Sequence, residues 1–419
     1  MSNLERLVSE HRELTRRYFL RLGPAGATVA GLWPLVSSAG PSPELAEVLA
    51  DLEPYLTPQK DFRDVSRGQP IPHQLPDETK SQVGMTRDTW SLEVISDPEN
   101  KADLRKPLTK KSGNALNFAR LMELAKEHAV RFPKVMTCLN IGCPLGMGIW
   151  EGVPLRELIW LTEPRKDLRR VYYYGYHNDK PEQMFRSSLP IDRILEDPFD
   201  LPPVILCYKL NGHWLSSERG GPVRVVVPEG YGFKSIKWLT TVVLSNMHHA
   251  NDTYANGNND VDSELKSFSA TLSVPNKVKA GQPIPVTGYA QSGSAGLAKV
   301  QAWAHNEEEP LPSGDKYYTK APWKDATILP PPEHWGGDLP NDQLPHPIMG
   351  FNSESGRPKK WPMRISKAHW AILLPGLPAG TYTLRSRTID EKGHAQPMPR
   401  PFRKSGHAAI EQVEFVVES

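Results

Sequence analysis

Apolar and polar residues alternate along Trp90-Ser91-Leu92-Glu93-Val94-Ile95, which predicts a strand with one buried face. Helical spacing follows from Asn114 to Phe132, where Leu116, Phe118, Leu121, Met122, Leu124, Ala125 and Val130 fall on one side. Lys134 to Leu139 reads as a short apolar strand. Leu155 to Leu161 reads as a helix entered through the Gly152-Val153-Pro154 turn. Val171 to Tyr176, Val204 to Lys209, Val223 to Val227 and Trp238 to Leu244 are continuous enough for buried strands. The pattern changes near residue 265. Ala270 to Val274, Ile284 to Tyr289, Lys299 to Ala304, Trp370 to Leu374, Tyr382 to Ile389 and Val413 to Val417 are short strands between Pro and Gly turns. That spacing predicts an immunoglobulin-type β-sandwich over residues 266–419, behind a mixed α+β domain over 40–265. Residues 40–85 read as an extended arm wrapping another element. Residues 305–360 read as a long Pro-rich loop, a length usually tied to function or an interface.

Composition narrows the function. With 419 residues, one core is too few. Lys plus Arg is 50 against 48 for Asp plus Glu, so the charge balance gives no pull toward nucleic acid or an anionic membrane. Pro is 41, roughly twice the usual share, which disfavours an all-helical fold. Three cysteines cannot build a disulfide framework.

The first residues have the layout of an export signal. Arg16 and Arg17 precede an apolar stretch, Leu22 to Val36, and Ser37-Ser38-Ala39 supplies small residues for cleavage. Residues 1–39 are therefore expected to be a twin-arginine signal directing the chain to the periplasm or beyond. That route suits a protein folded around a cofactor before export. No later segment is apolar enough for a membrane span, so none is expected.

Three constellations carry candidate chemistry. Cys138-Leu139-Asn140-Ile141-Gly142-Cys143 follows a strand and leads through a Gly-rich loop to Trp150-Glu151-Gly152-Val153-Pro154-Leu155. A thiolate at a strand end suits a soft metal. Composition alone favours two buried structural cysteines. The second constellation places Arg219, Arg224, Lys234 and Lys237 among glycines, in Glu218-Arg219-Gly220-Gly221-Pro222-Val223-Arg224 and Gly232-Phe233-Lys234-Ser235-Ile236-Lys237-Trp238. Glycines let backbone N–H groups approach an anion, and the cations neutralise it, so a phosphate-bearing ligand fits. A solvated basic loop has the same pattern. The third is Asn251-Asp252-Thr253-Tyr254, where a Tyr beside an Asp can hydrogen-bond an oxyanion or simply pack. His177, His248 and His249 are further ligand candidates. No G-x-S-x-G, H-E-x-x-H, C-x-x-C-H or Walker pattern occurs.

The order of these elements, with Ser188-Leu189-Pro190 and Tyr208-Lys209-Leu210-Asn211-Gly212 between them, resembles the sulfite oxidase family of molybdenum enzymes. The resemblance spans about 55–265 and continues into a region similar to the family's immunoglobulin-like dimerisation domain. It implies a molybdopterin-type molybdenum cofactor. Cys138 matches the thiolate metal ligand and Tyr254 the active-site tyrosine. Arg224 matches the arginine that grips the pterin phosphate, and Ser235, Ile236 and Lys237 match a cofactor-contacting stretch. Arg219 stands where many members have His, His177 near a position often occupied by Asp, and Arg67 in the stretch matching an N-terminal substrate motif. A homodimer is a further expectation of the resemblance.

The departures bear on the substrate. Sulfite oxidases ring the metal with arginines that hold the sulfite dianion. The position five residues after the thiolate is Cys143 here, the N-terminal arginine is displaced at Arg67, and no Arg is in register near Lys367-Ala368-His369-Trp370. Each lost charge-assisted contact removes roughly 1.5–3 kcal/mol of anion binding. The cofactor is expected, with a small sulfur-containing substrate other than sulfite. No haem domain is visible, so electrons are expected to pass to a separate acceptor such as a c-type cytochrome. The alternatives are an S- or N-oxide reductase on the same cofactor, or a cofactor-free secreted binding protein.

Overall fold

The computed structural model describes residues 42–178, 183–252, 262, 264–311, 313–397 and 409–419. The proposed signal therefore lies outside the described residues.

The first body packs two sheets. One has the order Leu116–Asn117, Ser91–Ser96, Leu239–Ser245, Arg170–Gly175, Arg186–Pro190, with Ser91–Ser96 and Leu239–Ser245 parallel. The other runs His213–Trp214, Ile205–Leu210, Pro144–Pro154, Val130–Thr137, and Arg224–Val226 also pairs with Ile205–Leu210. Leu92, Leu121, Leu158, Tyr173, Leu206 and Val225 meet in the core between them. The helix Phe118–His128 covers this core. Asn117 caps it by accepting the Arg120 N–H at 2.8 Å.

Two expectations shift here. The helix is shorter than the 114–132 periodicity suggests, because Val130–Thr137 is drawn into the sheet. The stretch 144–154, expected as a Gly-rich loop and turn, is one continuous strand paired on both sides. Its glycines serve close approach. A Cβ on Gly152 would stand 2.4 Å from the Leu206 carbonyl oxygen of the next strand.

The second body is a single eight-stranded sheet in the order Phe268–Ser273, Ile284–Gln291, Lys367–Leu374, Lys324–Ile328, Lys299–Asn306, Gly380–Ile389, Glu411–Glu418, Lys277–Lys279. It curls so that its two halves share one core of Ile284, Val286, Trp370, Leu384 and Phe415. The sandwich-type expectation holds in packing. The sequence reading missed Lys324–Ile328, which lies inside the expected Pro-rich loop and pairs with both Lys299–Asn306 and Lys367–Leu374. That strand joins the two halves.

The arm wraps as expected. Leu56 N–H donates to Trp335 O at 2.8 Å, Thr57 N–H to Met147 O at 2.8 Å, and Arg63 N–H to Leu145 O at 2.8 Å. Tyr55 and Leu56 enter a shared core with Val135, Met147, Leu339 and Phe351, so the arm and the 335–365 loop fasten the second body to the first. Beside it the Thr137 hydroxyl donates to Gln291 Oε1 at 2.5 Å, both residues fully buried.

Gly152→Ala should lower unfolding free energy by about 1–3 kcal/mol through overpacking between paired strands. Urea denaturation of the purified chain checks this. An unchanged midpoint would show that the strand can shift to make room.

Candidate active site

The Val130–Thr137 and Pro144–Pro154 strands form a hairpin, and Cys138 begins its loop. The paired strands hold this loop at one end of a cleft of about 190 Å³. Cys138, Arg67, Arg219, Arg224, Ser235 and Lys237 all line that cleft, so positions up to 170 residues apart in sequence meet there.

The basic side of the cleft is buried. Arg219, Arg224 and Lys237 are each under a tenth exposed. Arg224 donates from Nη1 to Arg219 O at 2.7 Å and from Nη2 to Ser235 O at 2.6 Å, and its guanidinium lies 5.3 Å from the Trp150 ring centre. Burial pushes it down to about 10, so it stays charged at neutral pH. Arg219 donates from Nη1 to Phe62 O at 2.8 Å and from Nη2 to the Glu218 carboxylate. Lys237 Nζ donates to Asp64 Oδ1 at 3.0 Å, Ser66 Oγ at 2.7 Å and Glu218 O at 2.7 Å. Burial pushes Lys237 down to about 8, helped by Arg224 and opposed by Asp64. Burial alone would raise Asp64, but Lys237 and the Ser66 hydroxyl hold it at about 2. The Lys237–Asp64 pair therefore clamps the arm over the cleft.

The two buried arginines are left incomplete. Nε of Arg219 and Nε of Arg224 have no hydrogen-bond partner. A buried guanidinium N–H without an acceptor is costly, and an anionic ligand in the cleft would relieve two of them at once. Among the described residues no group of three or more His, Cys, Asp or Glu stands together to hold a metal ion. A metal at Cys138 must then arrive with most of its ligands on another molecule. The donor set of one thiol and an anion cradle fits a phosphate-bearing, metal-carrying cofactor.

The other sequence candidates fall in different places. Arg67 reaches the cleft but spends Nε on Gln183 O at 3.0 Å and Nη2 on Met184 O at 3.2 Å, over the Phe185 ring. Ser235 lines the cleft, and its hydroxyl accepts the Val227 N–H at 3.0 Å. Ile236 turns its side chain into the core, away from the cleft. His177 is outside the cleft lining, with Nδ1 against its neighbour's carbonyl, Asn178 O. Tyr254 lies outside the described residues. Lys234 faces away, into a buried pair with Asp252 Oδ2 at 3.0 Å. His248 accepts no place in the cleft either, lying 3.2 Å from Arg169 Nη1 at the surface.

The sequence reading missed two contributors. Arg63 lines the cleft and points Nη1 at Cys143 Sγ, 3.7 Å away. Lys134, fully buried, donates to Pro228 O and Gly230 O at 2.8 Å each and holds the turn that follows the Arg224–Val226 strand. Burial pushes Lys134 down to about 7, with Glu229 opposing. Nothing in local sequence marks Lys134, since its acceptors lie about ninety residues away.

Comparison with known proteins identifies the domain. Residues 84–253 match the oxidoreductase molybdopterin binding domain. The mitochondrial sulfite oxidase of Drosophila melanogaster is 27% identical over 205 residues, 41% of this chain and 35% of that protein. The protein-methionine-sulfoxide reductase catalytic subunit MsrP of Ralstonia nicotianae is 34% identical over 99 residues, 22% of this chain and 29% of that one. This chain thus spans about a third of each of these curated relatives. In fold, the sulfane dehydrogenase SoxCD from Paracoccus pantotrophus superposes with a TM-score of 0.56 at 15% identity, over 93% of this chain and 98% of that one. The matched stretch contains Cys138, Arg219, Arg224 and Lys237, so this part of the chain is a molybdopterin-binding oxidoreductase domain similar to that of the sulfite oxidases.

Proposed function

We propose that the chain oxidises a small sulfur-containing substrate, using a molybdopterin cofactor seated in the Cys138 cleft. The observation that carries this reading is the pairing of one accessible thiol with two buried arginines whose Nε groups lack acceptors. Residues 40–265 would hold the cofactor, and 266–419 would buttress it and carry the dimer contact. When bound, the cofactor supplies two-electron oxygen-atom transfer at its metal. The chain's own part is positioning and electrostatics. Cys138 supplies the protein thiolate to the metal. Arg219 and Arg224 offer their Nε protons to the phosphate, and Lys237 keeps the arm closed through Asp64. Phe62, Leu145 and Trp150 line the cleft and would exclude water from a bound cofactor. The active-site tyrosine's role is assigned to Tyr254 on its match in sequence, and His177 is kept as a cofactor-binding candidate on the same ground.

Electrons would leave to a separate acceptor such as a c-type cytochrome, and the protein would work in the periplasm after twin-arginine export. None of the described helices is long and apolar enough to cross a membrane. A second reading, reduction of an S- or N-oxide, is favoured by the local likeness to a methionine sulfoxide reductase subunit. Assays with redox dyes run in both directions separate the two.

Elemental analysis and pterin fluorescence of protein from a cofactor-making host should give near-stoichiometric molybdenum. A folded sample with neither metal nor pterin would leave only a cofactor-free binding role. Cys138→Ser should abolish turnover. Arg224→Ala should lose pterin and molybdenum together, because phosphate binding is removed while the thiol stays.

Cofactor retention should also depend on pH. Lys237 is protonated below about 8 and Asp64 is ionised above about 2, so the clamp is intact at neutral pH and opens as pH rises past about 8. Molybdenum retained after gel filtration should fall over that range, and Lys237→Arg should remove the step. Retention that stays level to about pH 10 would rule out the clamp.

A further inference from the structure

The proposed function leaves Cys143 without a task. It sits directly across the hairpin base from Cys138. Cys138 N–H donates to Cys143 O at 3.3 Å, and Gly142 N–H donates to Cys138 O at 3.0 Å. Gly142 adopts φ 60°, the left-handed turn that places both Gly142 and Cys143 opposite Cys138, as in a bulged hairpin closure. Opposed residues of an antiparallel pair have Cα atoms about 4.5–5.5 Å apart and side chains on one face. That spacing lies inside the roughly 4.4–6.8 Å span a disulfide bridges.

The pair is also reachable. Both thiols are partly exposed, and Ile141 at the loop tip is 41% exposed. Arg63 aims Nη1 at Cys143 Sγ at 3.7 Å, a cation placed where negative charge gathers during thiol–disulfide exchange. The third cysteine is unsuited. Cys207 is fully buried, and burial pushes its thiol up to about 12.

We propose that Cys143 is the resolving thiol for Cys138: in the cofactor-free chain the two close into a disulfide, and that bond must be reduced before the cofactor can be seated. The gating half of this inference rests on the cofactor reading above. The pairing half does not. The oxidant is a disulfide, either small or carried on another protein. The Cys138 sulfur attacks it, forming a mixed disulfide and releasing one thiolate. The Cys143 sulfur then attacks the Cys138 sulfur and releases the second thiolate. The chain's two thiols are oxidised, the oxidant is reduced to two thiols, and the two protons pass to the released thiolates. The bond would protect the metal ligand from further oxidation while the site is empty.

The test uses the full chain made in a host that cannot synthesise the cofactor. The protein is treated with oxidised glutathione, denatured with an alkylating agent present and cut with trypsin. The peptide Val135 to Arg156 carries both residues. It should appear two hydrogens lighter with neither sulfur alkylated, while Cys207 is alkylated after denaturation. Alkylation of both Cys138 and Cys143, or glutathione left on either, would overturn the pairing. In Cys143→Ser, glutathione should remain on Cys138.

Loading is then measured as molybdenum bound after exposure to released cofactor. Oxidised wild-type protein should bind none until treated with dithiothreitol, whereas Cys143→Ser never exposed to oxidant should load without reductant. Equal loading of oxidised and reduced wild-type protein would overturn the gating. A chain that loads molybdenum but never forms the bond sinks this inference and keeps the cofactor reading. A chain that forms the bond but never loads molybdenum under any condition sinks the cofactor reading.

Discussion

Three cations buried around one cleft set the terms for the rest of the structure. Arg219, Arg224 and Lys237 repel one another in a low-dielectric site, and each has left water. The fold compensates them with carbonyl oxygens of Phe62, Arg219, Ser235 and Glu218, with the carboxylates of Asp64 and Glu218, and with the faces of Phe62 and Trp150. Those partners come from the arm, from the central strand and from the Gly-rich turns. Compensation stops one step short, at the two Nε groups. A site built this way is stable enough to fold, and it is electrostatically unfinished until an anion enters.

That requirement explains the arm. An extended segment would gain little by crossing the surface unless it brought something. It brings Asp64 and Ser66 to Lys237, Phe62 to Arg219 and Arg63 to the Cys143 loop. Its backbone is held by Trp335, Met147 and Leu145, so the 335–365 loop of the second body and the central strand of the first both fix where the cations sit. The second body also reaches the strand that leads to Cys138, because Gln291 accepts from Thr137, one residue before Cys138. Its contribution to the site is therefore rigidity of the thiol's anchor. Tyr289 from the same strand stands near Cys143. Burial pushes its hydroxyl well up, with Cys143, Glu411 and Glu53 adding to the effect.

Much of the fold was legible from pattern. Strands such as 91–96 and 205–210 came from alternation or short apolar runs, and the Leu155–Leu161 helix from its spacing and its Pro entry. The errors share a cause. Pro144–Pro154 looked like a loop because glycines score against strands in isolation, yet Gly152 is needed because a neighbouring carbonyl would overlap any Cβ. Lys324–Ile328 carries only one purely aliphatic β-branched residue and was hidden in a Pro-rich stretch. Its strand character comes from the two edges it joins.

By itself the sequence determined the chemistry available: one thiol at a strand end, cations set among glycines, and a family order of motifs. Local residue types decide those properties, and no fold is needed to read them. Tertiary structure alone decided which candidates meet. Arg63, unmarked in the sequence, faces Cys143, while Lys234 and Ile236, beside cleft residues in the chain, turn into a buried ion pair and the core. Neighbours in a turn point to opposite sides, and the cleft collects residues by facing direction and by strand register, which long-range packing sets.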